Sequence, residues 1–321
     1  MPWLQRVLER DLHNGRAHLV LAHVLAQRGA QQQALMELRL AVESDPTLAG
    51  RAAGVAVDIT QDFETLKRAV PDGALGSGTL LAIASSLSRP EQAPLRLRCL
   101  KEAIHRNPNE LLARQALADL LLADLSKPRG RALCAAEQLA HCKKLVLEQA
   151  RRLARSPKIG WRGHYLQARL ELYGGDPGVA ARLLEEHCPR KTEGAGCLRD
   201  WVLATLRSGT IKDTRLAGAA LSAAACGSSK SCSGSLDWLA ATLESAKRLE
   251  AAYGYAERAA RLEPTAERWM RAARLAASLG LVAQANAGFR HALALRPGDA
   301  QLRQRVEAEQ SSLRKRATPR P

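Results

Sequence analysis

Aromatic residues make up only 3% of the 321 residues, and long apolar runs are missing as well. Few aromatic side chains leave little surface for stacking single-stranded bases, which weakens the hypothesis of a single-strand binding protein. No apolar run approaches the roughly 20 residues that cross a bilayer as a helix, so we expect no transmembrane segment. The first residues, Met-Pro-Trp-Leu-Gln-Arg, lack the apolar core of a signal peptide, which favours a cytoplasmic protein.

Catalytic motifs are missing too. The sequence contains no phosphate-binding Gly loop, no His-Glu-x-x-His, no nucleophile elbow, no EF-hand loop and no dinucleotide fingerprint. The His residues are scattered, and His18 and His23 are spaced so that they do not share a helical face. No Cys-x-x-Cys spacing supports a zinc site. We therefore expect a protein that is not an enzyme and holds no metal or cofactor.

Ala and Leu are abundant instead, and strand-type alternation is missing, so the sequence predicts an all-α fold. One spacing occurs three times: Ala, eleven residues, Ala, three residues, an apolar residue, two residues, Ala, four residues, Pro. The copies end at Pro46, Pro264 and Pro297, and the last two lie 33 residues apart, so they are adjacent. Such a period is typical of an α-solenoid, an array of antiparallel helix pairs.

The first copy predicts two helices, over residues 16–28 and 31–43. Ala22 and Ala34 would lie where these helices cross, because a small side chain there lets the two backbones approach. Gly29 fits the left-handed conformation that commonly ends a helix. Each copy is therefore interpreted as one helix–turn–helix unit.

The last copy, residues 266–297, carries the fullest set of spaced residues: Trp269, Ala273, Gly280, Ala285, Phe289, Ala292 and Pro297. Residues 15–46 and 233–264 keep the small residues and the Pro but lack the Trp. This pattern resembles the tetratricopeptide repeat. The resemblance implies a right-handed superhelix, degenerate in its middle, whose first helices line a concave groove that binds a peptide or helix.

What the resemblance implies about function is a non-catalytic scaffold or adaptor that binds another protein. By spacing, the residues that would face the groove are His23, Gln27, Asp237, Glu244, Met270 and Arg274. An ordinary solvated surface is the alternative role for each of them.

The pattern divides the chain into five parts: an N-terminal unit (1–49), degenerate units with a Gly- and Pro-rich break (50–126), a basic long helix with degenerate pairs (127–232), two tandem repeats (233–297), and a capping helix with a basic tail (298–321). The clustered Gly and Pro of residues 50–78 predict a loop or distorted unit. Residues 161–188 predict a degenerate pair, and Leu198–Leu206 with Thr214–Cys226 predict a shortened one.

The net charge of +16 is unevenly distributed: residues 1–126 are neutral, so residues 127–321 carry all of it. Such an excess favours an acidic protein, nucleic acid or an anionic membrane surface as partner, and a solvated Arg-rich face is the plain alternative. Binding of nucleic acid or another polyanion by the C-terminal two-thirds is the second functional hypothesis. Residues 129–155 predict one long basic amphipathic helix, which fits either a membrane surface or a repeat helix with a solvated face.

The spacing of the seven cysteines indicates whether the protein works in an oxidising or a reducing compartment. Cys188 and Cys197 flank one short polar loop, and Cys226 and Cys232 flank another, so each pair can reach the Cα separation of a disulfide. Two such pairs favour an extracytoplasmic setting, as a periplasmic or secreted protein or as the soluble part of an exported one. The alternative is small buried cysteines in a reduced protein. Cys134 and Cys142, on one predicted helix, would lie about 12 Å apart and could not bond, so with Cys99 they are predicted core residues.

Overall fold

The computed structural model describes residues 2–127, 133–135, 138–226 and 232–317, and these residues form helices and connecting turns without a β-strand. The predicted fold class is confirmed: helices that follow each other along the chain pack as neighbouring pairs, as in an α-solenoid. Within the described ranges no helix is both long and apolar enough to cross a membrane. The right-handed superhelix implied by the resemblance stays a prediction.

The chain divides into two compact units, Met1–Gly175 and Asp176–Pro321. Unit 1 contains α1 (Pro2–Arg10), α2 (Gly15–Gln27), α3 (Gln31–Ser44), α4 (Ala49–Ile59), α5 (Phe63–Leu66), α6 (Gly73–Ser86), α7 (Ala93–Arg106), α8 (Leu111–Leu125), α9 (Leu139–Ala154) and α10 (Gly160–Gly174). Its closest helix pairs are α2 with α3, α6 with α7, and α9 with both α8 and α10.

Unit 2 contains α11 (Pro177–His187), α12 (Ala195–Ser208), α13 (Ile211–Cys226), α14 (Cys232–Ser245), α15 (Leu249–Leu262), α16 (Ala266–Ser278), α17 (Val282–Leu295) and α18 (Ala300–Ala317). Here α11 packs on α12, α12 on α13, α14 on α15, and α16 on α17, and α15 also contacts α16. The two tandem repeats predicted at 233–297 correspond to α14–α15 and α16–α17.

The first predicted repeat forms as expected, with boundaries within one residue of α2 and α3. The Asn14 side chain accepts a hydrogen bond from the Ala17 amide and begins α2, since a first-turn amide has no partner within the helix. Ala22 and Ala34 are completely buried. Gly29 has φ +79°, the left-handed end of α2.

The last repeat shows why small residues recur at the crossing of two helices. Ala273 of α16 and Ala285 of α17 are buried, and Gly288 lies so close that an added Cβ would be 2.9 Å from the Ala273 Cβ. Phe289 beside them is fully buried in the same cluster. A larger side chain at the crossing would push α16 and α17 apart.

Of the two alternatives predicted for residues 50–78, the loop is wrong for most of its length, because α4, α5 and the first turns of α6 occupy it. Gly76 is needed inside α6, since a Cβ there would clash with the Pro71 carbonyl oxygen. Ser77, also in α6, is buried, and its hydroxyl donates to the Ala103 carbonyl of α7 at 2.9 Å. At Gly76 and Ser77 the small residue therefore serves close packing rather than a loop.

The predicted helix over 129–155 is also wrong, because α9 begins only at Leu139 and residues 133–135 are not helical. Residues 129–132 and 136–137 of that prediction lie outside the described residues. The cause is Asp124, whose buried Oδ2 accepts hydrogen bonds from the Leu133 and Cys134 amides at 3.0 and 2.8 Å. Those amides are therefore held by a side chain rather than by a helix.

This bend corrects the prediction that Cys134 and Cys142 cannot bond. Cys134 lies before α9 rather than on it, and its Cα is 6.0 Å from that of Cys142, with which it forms a disulfide. Only Cys99 is unpaired, and it is buried in α7 as predicted.

The two predicted disulfides form. Cys188 and Cys197 join the end of α11 to α12 with their Cα atoms 5.7 Å apart, and Cys226 and Cys232 join α13 to α14 at 4.4 Å. Each bridge closes a short loop, so each stabilises the fold by about 2–3 kcal/mol in the chain-entropy model. Three disulfides are consistent with an oxidising compartment.

The middle of the array is more regular than predicted. The pair predicted as shortened forms helices of ordinary length, α12 and α13. The unit predicted at 161–188 is divided, because α10 ends unit 1 and α11 begins unit 2. The degenerate sequence therefore reflects a loss of the repeat pattern and not a loss of helix.

Candidate functional site

A cavity of about 630 Å³ opens in unit 2 between α14, α16 and the first turns of α18. We call it the arginine groove, after the five arginines that line it: Arg268, Arg271, Arg274, Arg296 and Arg305. Four carboxylates also line it, those of Asp237, Glu263, Glu267 and Asp299. The lining is thus nearly balanced in charge, with an excess of one cation.

Ion pairs fix one part of this groove. Arg268 contacts Asp237 of α14 through Nε at 2.6 Å and Glu263 through Nη1 at 2.7 Å. Its side chain is only 17% exposed, so these contacts are partly shielded from water. Arg296 forms a separate pair with Glu267 at 2.7 Å. These pairs hold α14, α16 and the end of α17 in register at the groove.

The local sequence explains how Arg268 is placed. Thr265 precedes α16, and its hydroxyl oxygen accepts a hydrogen bond from the Arg268 amide at 3.2 Å. The guanidinium also donates to the Glu263 carbonyl at 2.9 Å. The capped first turn of α16 therefore points Arg268 across to α14.

The same contacts shift the pKa values of Arg268 and Glu263. Burial alone would lower the pKa of Arg268, but its hydrogen bonds to Asp237 and Glu263 outweigh burial and raise it. The Ser233 hydroxyl, which donates to Glu263 at 2.6 Å, and then Arg268 lower the pKa of Glu263. This part of the groove therefore stays ionised over the ordinary pH range.

Two arginines of the groove differ from Arg268. Among the described residues, neither Arg274 nor Arg305 has a carboxylate within 4.0 Å, although both line the cavity. Arg271 lies between these cases, at 4.0 Å from both Asp237 and Glu244. Arg274 and Arg305 can therefore accept an anionic group from a bound molecule.

The structure brings four of the six predicted groove residues together. Asp237, Met270 and Arg274 line the arginine groove, and Glu244 shares with Arg274 an adjoining cavity of about 190 Å³. Met270 is only 3% exposed and belongs to the core cluster of α16 to α18, so its main role is packing. Asp237 holds Arg268 rather than facing an open surface.

The other two predicted residues, His23 and Gln27, lie on α2 in unit 1. Both are exposed, and the Gln27 Nε2 lies 3.2 Å from the His23 Nε2. They do not line the arginine groove, and the cavities in the described residues of unit 1 do not include them.

Sequence reasoning missed Arg268, Arg271, Arg296 and Arg305. The first two could have been found, because Arg268, Arg271 and Arg274 recur every three residues along one side of α16. Arg305 lies on α18, which was interpreted only as a cap. Its contribution becomes visible when α18 is placed beside α16.

In the described part of the chain, no group of three or more His, Cys, Asp or Glu side chains is arranged to hold a metal ion. The expectations of no cofactor and no enzymatic activity stay predictions. A scan against protein-family models finds no match, and a search of curated proteins finds no similar sequence.

Proposed function

We propose that the chain is a non-catalytic adaptor of the tetratricopeptide type, and that unit 2 binds an acidic peptide segment of another protein in the arginine groove. The observation that carries this proposal is that some arginines of the groove are paired with carboxylates of the chain and others are not. Arg268 and Arg296 are engaged by carboxylates of the chain, whereas Arg274 and Arg305 have none within ion-pair distance among the described residues. A peptide with one or two carboxylates would form ion pairs with Arg274 and Arg305.

The apolar part of the lining supports a peptide rather than a bare ion. Leu302 is buried in the wall, and Met270 forms part of the same surface. The cavity volume of about 630 Å³ would take a few side chains of an extended or helical segment. Fixed ion pairs at Arg268 would keep the groove preorganised and lower the entropy lost on binding.

Polyanion binding is the second candidate, and a different surface favours it. The near balance of charge in the arginine groove is unfavourable for a strand of phosphates, which needs several unpaired cations in succession. On α9 of unit 1, by contrast, Lys144, Arg151 and Arg152 are exposed, and Arg155 and Lys158 follow them. A nucleic acid would therefore bind at α9 rather than in the groove.

The disulfides bear on where this adaptor works. We propose an extracytoplasmic location, because disulfides persist in oxidising compartments and three of them form in this chain. Expression in an oxidising compartment, followed by mass analysis without reductant, should give a protein six hydrogens lighter than the reduced chain. Recovery of the reduced mass would contradict the proposed location.

The binding proposal is tested with an array of peptides that differ in the number of Asp and Glu residues. We expect the full chain to retain acidic peptides, and Arg274→Glu to weaken that binding about tenfold or more. Arg314→Glu is the matched control, because Arg314 is an exposed cation near the end of α18 that does not line the groove. Equal losses in the two variants would refute the groove as the binding surface.

The same preparation separates the two candidates. Binding of an acidic peptide should survive moderate salt, whereas binding of a single-stranded oligonucleotide should fall steeply as salt rises. Lys144→Glu with Arg151→Glu should affect only the oligonucleotide. Retention of oligonucleotide alone, lost in that double variant, would assign the function to α9 instead.

A further inference from the structure

Four of the described helices are followed by a residue with left-handed backbone: Gly29 after α2, Gly209 after α12, Lys247 after α14 and Gly280 after α16. In the described part of the chain, Lys247 is the only residue other than Gly with positive φ, at +61°. It stands at the same repeat position as Gly29 and Gly280. Its neighbour Arg248 donates its amide to the Leu243 carbonyl at 2.8 Å, as Leu281 does to Ala276 at 2.9 Å.

A Lys at this position is unfavourable, because its Cβ crowds the backbone in the left-handed conformation and a Gly would not. The two equivalent turns have Gly29 and Gly280 at this position, so the turn itself does not require a Lys side chain. Strain of this kind at one residue is a reason to ask what its side chain contributes. Lys247 lines a second cavity of unit 2, with a volume of about 440 Å³.

This cavity, which we call the lysine pocket, lies between α13, the end of α14 and the start of α15, and it shares no lining residue with the arginine groove. Its walls are largely apolar, formed by Ile211, Leu243, Leu249 and Leu279. Ile211 is 51% exposed, so part of this apolar wall is open to solvent. The volume is that of a site for a small molecule.

The charged part of the lining is unbalanced. Arg215, Lys247 and Arg248 line the lysine pocket, and Glu250 is the one carboxylate beside them. None of the three cations has an ion-pair partner among the described residues. The lysine pocket thus combines an apolar interior with an excess of positive charge, which is complementary to an anion with an apolar body.

Tyr255 and Thr214 supply the uncharged polar groups of the lining. The position of Tyr255 depends on Gly218 of α13, because a Cβ added there would lie 2.8 Å from the Tyr255 hydroxyl oxygen. Burial raises the pKa of Tyr255, so its hydroxyl stays protonated and can donate a hydrogen bond.

We propose that the lysine pocket binds a small amphiphilic carboxylate, with its apolar chain against Leu243, Leu249 and Leu279 and its carboxylate among Arg215, Lys247 and Arg248. Lys247 is retained at a strained position because it contributes to this binding. The site is independent of the peptide groove and of the adaptor proposal.

The test uses the full chain and three probes in isothermal titration calorimetry: decanoate below its micelle concentration, decanol, and acetate. Decanoate should bind with one site, and decanol and acetate should each bind at least about tenfold more weakly. Equal binding of decanol would overturn the role of the cations, and equal binding of acetate would overturn the role of the apolar walls. Because burial of an apolar chain can be nearly athermal at one temperature, the titration is run at two temperatures, and no saturable heat from decanoate at either would overturn the site itself.

Variants locate the bound probe. Lys247→Gly keeps the left-handed turn and removes one cation, so it should weaken decanoate about fivefold while the melting temperature rises. Lys212→Ala is the matched control, since Lys212 is an exposed cation of the same helix as Arg215 but does not line the lysine pocket. Ala251→Trp should block binding by filling the pocket. Unchanged decanoate affinity in both Lys247→Gly and Ala251→Trp would overturn the proposal.

Discussion

The Nε of Arg268 lies 2.6 Å from Oδ2 of Asp237, and this ion pair links the first helices of two adjacent repeats, α16 and α14. Both side chains are partly buried, at 17% and 25% exposure. The pair therefore sets the separation of the two helices where the arginine groove opens. It also removes one arginine of the groove from competition for a bound carboxylate.

A double-mutant cycle measures this link. Asp237→Ala, Arg268→Ala and the double variant should give a coupling free energy of about 1–2 kcal/mol in chemical unfolding, since the pair is shielded and charge-assisted. Arg261 and Glu257 form an exposed control pair within α15, with Arg261 70% exposed, and their coupling should be only about 0.3–0.5 kcal/mol. Equal couplings would show that the first pair does not join the repeats.

Packing at the last helix crossing gives a second prediction. Ala285→Leu should lower the free energy of unfolding by about 1–3 kcal/mol, because Ala285 is fully buried where α17 meets α16. Ala283→Leu adds the same atoms to an exposed position of α17 and should change stability by less than about 0.5 kcal/mol. A melting curve for Ala285→Leu like that of the unaltered chain would contradict the packing described for this repeat.

Exchanging Lys and Gly at two left-handed turns tests whether the turns are equivalent. Lys247→Gly should raise the free energy of unfolding by about 1 kcal/mol, and Gly280→Lys should lower it by a similar amount. The space around Gly280 is open, with no atom within 4 Å of an added Cβ. The loss of stability in Gly280→Lys should therefore measure only the cost of the left-handed backbone conformation. Changes of the same sign in the two variants would refute the equivalence of the turns.

The cysteines predict a thiol count. Without reductant, the unfolded chain should react with one equivalent of a thiol reagent, because only Cys99 is unpaired. The folded chain should not react at pH 8, since burial raises the pKa of Cys99 to about 12 and keeps the thiol protonated. Cys99→Ser should abolish the reaction of the unfolded chain. Three equivalents in the unfolded chain would mean that one bridge is missing.

The sequence predicts the repeats well where packing depends on neighbours in the same unit. Ala22 with Ala34, and Ala273 with Ala285, mark helix crossings through their spacing alone, and the structure buries all four. The two disulfides across short loops follow from the same local reasoning, because a turn brings its own ends together.

Prediction fails where a distant side chain decides the local structure. Asp124 holds the amides of Leu133 and Cys134, and this single carboxylate converts a predicted helix into the bend that lets Cys134 meet Cys142. The predicted loop at Gly76 is wrong because the close packing of Gly76 against Pro71 is not visible in the local sequence pattern. At the groove, Arg305 could be assigned only once α18 lay beside α16.

The disulfides are confined to residues 134–232, so no disulfide joins the helices that follow α14. The groove helices α16 and α18 are therefore held to their neighbours by packing, hydrogen bonds and ion pairs, without a disulfide. Under the proposed binding, a peptide that bridges α16 and α18 would stabilise the folded chain by RT ln(1 + c/Kd), where c is the free peptide concentration. Peptide concentration would then set the lifetime of these helices, and the unbound chain would be the form that proteases remove first.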